Sequence, residues 1–106
     1  MHYLLFYDYS DDYLTRRQAL RPAHFEYARP FIDRGELILG GALAEPVDTG
    51  VLLFKAAGAE LVERFAAEDP YVKNGLVKSW RVRPWTTVVG PDAATPLVPP
   101  APARQA

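Results

Sequence analysis

The chain has 106 residues, 49% of them hydrophobic and 24% charged, a balance that fits one globular domain and excludes a disordered or fibrous chain. Its 12 basic and 13 acidic residues exert no net pull toward nucleic acid or a membrane surface, so small molecules or proteins are the expected partners. The absence of cysteine excludes disulfides, thiolate nucleophiles, iron–sulfur clusters and cysteine-based zinc sites, and it fits a reducing compartment.

Residues 2–9, HYLLFYDY, are aromatic and aliphatic almost throughout and read as a strand ended by the polar cluster Ser10 to Asp12. There is no basic n-region, and Asp8 cuts the apolar stretch, so this start reads as neither a signal peptide nor a membrane span. A cytoplasmic location is expected. Thr15 with Gln18 has the form of a capping box, which starts a helical turn over residues 15–20. Proline suits a first helical turn, so Pro22 is expected to open a fresh helix that runs to Arg34 and is stopped by Gly35. Pro30 removes one backbone bond inside that helix and clashes with the carbonyl of Glu26, which predicts a kink.

Residues 36–44, ELILGGALA, read as a second strand, in which Gly40-Gly41 predicts a bulge or the close approach of another group. The segment EPVDTG turns the chain into a third strand, VLLFKA, at residues 51–56. Residues 59–68 carry Leu61, Val62, Phe65 and Ala66 on one helical stripe, and Asp69-Pro70 ends that helix because the residue before proline is pushed out of helical angles. LVKSWRVRPW, residues 76–85, alternates Leu76, Trp80 and Val82 against Ser79, Arg81 and Arg83 as a half-buried strand should. A domain of residues 1–90 is then followed by a tail, residues 91–106, with five prolines and no aromatic. Such a tail leans toward extended polyproline II; its stretches around Pro96 and Pro99 resemble a proline-rich ligand only superficially.

The order β-α-β-β-α-β gives an α+β class and the ferredoxin-like arrangement, an antiparallel sheet with both helices on one face. In the first strand Tyr3, Leu5 and Tyr7 point one way and Leu4 and Phe6 the other, so both sheet faces are apolar. A second copy packed face to face is the simplest cover, giving a homodimer with clefts at its edges; scattered surface aromatics are the alternative.

Two residues stand out as candidates for chemistry. At 100° per residue, Phe25, Ala28 and Ile32 mark the core-facing stripe of the first long helix, and His24 lies about 60° from its centre. A histidine at such a border has a half-desolvated ring with an easily tuned pKa, although on spacing alone a structural histidine is the better reading. Asp69 continues the stripe of Val62 and Phe65 to that helix's C-terminal end, where a carboxylate opposes the dipole at a cost of about 0.3–1 kcal/mol and needs a donor or cation nearby. On spacing alone an Asp-Pro turn, whose side chain organises local backbone, is the better reading.

Arg17, Arg21 and His24 follow at i, i+4 and i+7 and would stack on one helix face, where like charges repel unless a carboxylate or an anionic ligand sits among them. Asp8, Asp11 and Asp12 could satisfy them; the functional reading is an anion-holding edge beside His24. Arg81 and Arg83 add two cations to whichever sheet face they share. His2 and His24 are the only histidines and no HxH or HExxH spacing exists, so no metal site is expected. Ser10 and Ser79 lie in no nucleophile elbow, and there is no glycine-rich phosphate or dinucleotide loop. General acid/base chemistry without a cofactor survives these exclusions.

The runs RRQALRPAHFEY, GELILGGAL and AEDPYVKNGLVKSWRVRPW together resemble the YciI-like (YCII-related) family of small dimeric proteins, over residues 1 to about 88. The resemblance implies a ferredoxin-like fold that pairs into a dimeric α/β barrel. It also implies a catalytic dyad made of His24 in RPAH and Asp69 in DPY, with the carboxylate fixing the imidazole tautomer. Pro30 and the proline-rich tail lie outside the family pattern. The best-supported chemistry in the family is dehydrochlorination of hydroxylated chloroaromatics, whereas likeness to barrel lactone isomerases and monooxygenases rests on fold alone. The expected function is a cofactor-independent lyase or hydrolase acting on a small cyclic or aromatic, anionic metabolite. His24 would move the proton, Asp69 would orient it, and Arg17 or Arg21 would hold the substrate's oxyanion. The alternative is a non-catalytic small-ligand binding or interaction module. A purely structural dimer is a weaker third reading, because a buried His-Asp pair is costly unless fully satisfied.

Overall fold

The computed structural model describes residues 1–97. Strands β1 (His2–Tyr9), β2 (Leu37–Ala42), β3 (Thr49–Lys55) and β4 (Val77–Trp85) form one antiparallel sheet in the order β2-β3-β1-β4. Helices α1 (Tyr13–Asp33) and α2 (Ala59–Glu68), with the single turn α3 (Pro70–Lys73), cover one face of it. This is the α+β, ferredoxin-like arrangement. Alternation along β1 sends Tyr3, Leu5, Tyr7 and Tyr9 toward the helices, where they are buried with Leu52 and Phe54 of β3 and with Val62, Phe65 and Ala66 of α2. Phe65 is the hub, meeting Phe31 edge-on at 4.9 Å and Phe54 at 5.0 Å between ring centroids. Each such buried side chain contributes roughly 1.5–3 kcal/mol before entropy is counted.

The opposite face is apolar and lacks a covering layer among the described residues. Leu4 lies opposite Leu53 and Arg83, and Phe6 lies opposite Val51 and Arg81. The Arg81 guanidinium sits 4.6 Å over the Phe6 ring, a cation–π contact that places this arginine away from the helical side. Leu39 on β2 is 72% exposed.

Helix α1 corrects the expectation of a short turn followed by a fresh helix at Pro22. It starts at Tyr13, with Asp12 as N-cap, and runs unbroken for 21 residues through both prolines. Thr15 does not cap a later turn; its hydroxyl donates to the Asp12 carbonyl at 2.8 Å. A proline deprives the carbonyl four residues earlier of its bond. Here Gln18, Pro22, Glu26 and Pro30 form one exposed stripe, so both released carbonyls lie on the water side, where an amphipathic helix already bends outward. The end is as expected. Gly35 adopts φ 76° and donates to the Ile32 carbonyl at 2.9 Å, while the Glu36 amide reaches Phe31 at 2.9 Å, closing a Schellman motif.

The bulge expected at Gly40-Gly41 falls earlier, between Leu37 and Leu39. The close approach expected there is made instead at Gly50, where a Cβ would lie 2.8 Å from Tyr9 Cζ and nearer still to its hydroxyl. Gly50→Ala is therefore expected to destabilise the fold by about 1–3 kcal/mol in denaturant unfolding, because Tyr9 is buried and would have to give up its stacking on Tyr13 to move aside.

After β4 the chain turns back on itself rather than extending. The Thr95 amide donates to the Thr87 carbonyl at 3.0 Å and the Leu97 amide to Val88 at 2.9 Å. The Thr87 hydroxyl oxygen accepts from the Ala94 amide at 2.8 Å and meets His2 Nδ1 at 2.6 Å. Residues 98–106 of the proline-rich tail, Pro99 among them, lie outside the described residues. No helix of the described residues is long and apolar enough to cross a membrane.

Candidate active site

Helix α1 and the α2–α3 junction bring together two residues 45 positions apart in sequence: His24 Nδ1 lies 2.7 Å from Asp69 Oδ1. Pro70 forces Asp69 out of helical angles, to φ −63° and ψ 128°, so the residue ends α2 and at once caps α3. Its Oδ1 accepts from the Tyr71 amide at 3.0 Å. A carboxylate at a helix N-terminus is favourable, which offsets the cost foreseen at the end of α2. The second oxygen, Oδ2, accepts from the Tyr7 hydroxyl at 2.7 Å. Asp69 is 0% exposed and thus has three protein donors in place of water.

With Nδ1–H donating to the carboxylate, the assigned tautomer leaves the His24 Nε2 lone pair free, and no described residue bonds it. The ring is held flat on Tyr71, centroids 3.9 Å apart and planes within 4°. Its side chain is 13% exposed. That exposed edge opens onto a cleft of about 510 Å³ between α1 and β2. Tyr13, Arg17, Arg21, His24 and Ala28, spaced by three or four residues, form one wall. Leu37 and Leu52 face them, and Gly40 and Gly41 present bare backbone to the same space.

The structure therefore places Arg17 and Arg21 on the histidine's side of the molecule, and the acids that might have neutralised them are engaged elsewhere. Asp12 lies 3.6 Å from Arg16, Asp8 accepts from Ser79 at 2.7 Å, and Asp11 lies 3.9 Å from Lys78. Among the described residues neither arginine has a carboxylate partner, and the Nε of each is buried with no hydrogen bond. Arg17 lies 5.4 Å over the Tyr13 ring and Arg21 5.9 Å over Phe25. The Tyr71 hydroxyl beside Arg21 raises the guanidinium's pKa further. Cleft charge thus comprises two arginines against one buried aspartate, an environment complementary to a planar anion.

The tyrosines were not singled out by sequence. Tyr7, Tyr9 and Tyr71 all have pKa values raised above the usual phenol range, each chiefly by burial, with the Asp69 charge adding to all three. Tyr9 stacks on Tyr13 at 3.6 Å. The available signal was the alternation itself, which sends Tyr7 and Tyr9 to the same face as Leu5, where a phenol needs a hydrogen-bond partner.

The family described as the YCII-related domain matches residues 1–86. A curated relative, the derivative of benzaldehyde biosynthesis cluster protein C of Emericella nidulans, is 35% identical over 74 residues, 60% of this chain and 76% of that protein. Among solved structures, the 5-chloro-2-hydroxyhydroquinone dehydrochlorinase of Burkholderia phenoliruptrix AC1100, in complex with 2,5-dihydroxybenzoquinone, superimposes with a TM-score of 0.69 at 22% identity. The match covers 82% of this chain and 95% of that one. Protein Atu4242 of Agrobacterium tumefaciens matches with a TM-score of 0.51 at 15% identity, over 78% and 89% of the two chains.

Proposed function

Because this chain belongs to the YCII-related family, we propose that it is a cofactor-independent lyase or hydrolase that moves a proton on a small cyclic or aromatic anion. The observation that carries the reading is the bonded His24–Asp69 pair at the wall of an open cleft that also holds two arginines without acidic partners. A histidine sealed in the core would have spoken for a structural role. The cleft is large enough for a single substituted ring, and its apolar walls at Phe25, Ala28 and Leu52 suit the faces of one.

In this reading Arg17 and Arg21 hold the substrate's oxyanion and His24 Nε2 removes a proton from a hydroxyl or carbon of the ring. Asp69 keeps the Nδ1–H tautomer and stabilises the imidazolium that forms. A dehydrochlorination run this way gives one proton to Nε2 and one chloride to solvent and needs no external oxidant. The half-buried apolar sheet face around Leu4, Phe6, Val51 and Leu53 supports pairing with a second copy, which would leave the α1–β2 cleft on the opposite side open.

The test is a panel of chlorinated hydroquinones and hydroxyquinones assayed for chloride release, with 2,5-dihydroxybenzoquinone as the binding probe. Arg21→Gln is expected to weaken probe binding, and to raise KM, about tenfold or more with a smaller effect on kcat, since a charge-assisted bond to the ligand is lost. Probe binding without turnover of any panel member, unchanged in His24→Ala, would replace the enzyme by a non-catalytic ligand-binding module.

A further inference from the structure

Tyr7 joins the Asp69 network through its hydroxyl alone. It is 1% exposed, sits on the interior strand β1, and its hydroxyl has Asp69 Oδ2 as its single partner at 2.7 Å. Phenylalanine would fill almost the same volume there, as Phe54 and Phe65 do nearby. A polar atom retained at such depth calls for a reason other than packing.

We infer that Tyr7 is a positioning residue, whose hydroxyl pins Asp69 Oδ2 so that Oδ1 is aimed at His24, and which thereby sets the basicity of His24 Nε2. The inference rests on the reading of His24 as the base. The physical link is charge sharing along one carboxylate. Each donor on a carboxylate takes up part of its negative charge, so a firm bond at Oδ2 leaves less charge to stabilise an imidazolium at Oδ1. Burial and the adjacent carboxylate hold the Tyr7 hydroxyl above the usual phenol range, so it remains a donor throughout the physiological pH range. Among the described residues, no other charged or titratable group around the pair hydrogen-bonds the Tyr7 hydroxyl. Arg17 and Arg21 on α1 share the cleft wall with His24. Tyr71 lies flat on the imidazole from α3, and Tyr9 and Tyr13 stack on each other. The Tyr27 hydroxyl is committed to the Phe65 carbonyl at 3.0 Å.

Nuclear magnetic resonance titration of the His24 ring measures this directly, with its signal identified by its loss in His24→Gln. In Tyr7→Phe the His24 pKa is expected to rise by about 0.5–1 unit, and the acid limb of the pH–rate profile to move with it while KM holds. Site-specific 3-fluorotyrosine at position 7 keeps the shape and strengthens the donor, so it should move the His24 pKa the opposite way; it also serves if Tyr7→Phe does not fold. A merely structural Tyr7 would alter the melting temperature and leave the His24 pKa in place, and a pKa unmoved in the variant that folds overturns the inference. The two levels fail separately. If His24→Ala retains turnover while the pKa shift is seen, the base assignment falls and the Tyr7 coupling stands; the reverse pattern removes Tyr7 and keeps the base.

Discussion

His24→Ala is expected to lower turnover by about 10²–10⁴-fold, the usual contribution of a positioned general base, while leaving the fold and the oligomeric state unchanged. The separation of the two effects follows from where the ring sits. His24 lies midway along α1 with its edge at the cleft, so the space it vacates is continuous with the cleft and creates no closed cavity. Asp69 loses one of three donors, and the oxygen concerned keeps the Tyr71 amide while water enters beside it. Helix propensity even improves with alanine. Unfolding midpoints within about 1 kcal/mol of the parent are therefore expected alongside the loss of chloride release from the hydroquinone panel. Added imidazole should restore part of the rate, because the cleft and the oriented carboxylate both survive. Turnover equal to the parent would remove His24 from the mechanism altogether.

How much of this could be read from the residues varies with the range of the interaction. The strands and α2 were legible because their signals are local: alternation through Tyr3, Leu5 and Tyr7, and a stripe through Val62, Phe65 and Ala66 that is buried as expected. Helix α1 was misread at its start because Pro22 is a breaker only where its freed carbonyl is shielded from water, and along its core-facing stripe, where Ala28 is buried but Phe25 and Ile32 are exposed. The stripe Gln18–Pro22–Glu26–Pro30 is exposed, and that exposure is decided by tertiary packing. The turn α3 was missed for a related reason, since Asp69-Pro70 both stops one helix and starts another.

The site shows the same gradient. Spacing placed Arg17, Arg21 and His24 on one face of a helix, and α1 presents all three to one cleft. That Asp8, Asp11 and Asp12 turn to Ser79, Lys78 and Arg16 instead depends on β4 and on the first turn of α1, which spacing does not place. The contact between His24 and Asp69 spans 45 residues and two elements, beyond any periodicity, and only the resemblance carried by RPAH and DPY pointed to it. Tyr7 stands between these cases. Its facing was legible, and its hydroxyl's need for a buried acceptor follows from facing alone, but which acceptor answered it was not.

The larger stability effect is expected at the other half of the pair. Asp69→Ala should cost about 3–5 kcal/mol in urea or thermal unfolding, the range for removing one member of a buried charged network. Three donors converge on this carboxylate, and two of them, the Tyr7 hydroxyl and the Tyr71 amide, belong to residues that are 1% and 4% exposed, where water cannot readily replace the lost acceptor. The same substitution strips α3 of its N-cap, worth about another 0.5–2 kcal/mol within that total. Relief of the carboxylate's own desolvation works the other way, but it is the smaller quantity here because three donors already stand in for water at Asp69. Against a total stability of about 5–15 kcal/mol, a loss of this size brings a domain near its unfolding threshold. Asp69→Asn separates the contributions: its oxygen can still accept from the Tyr71 amide and cap α3, and Tyr7 can rotate its hydroxyl to accept from the new amide nitrogen. It should therefore recover more than half of the lost stability. The asparagine cannot stabilise an imidazolium, so turnover should stay as low in Asp69→Asn as in His24→Ala. If Asp69→Ala unfolds within about 1 kcal/mol of the parent, the three-donor network contributes little to the fold, and the chain keeps its buried aspartate for His24 alone.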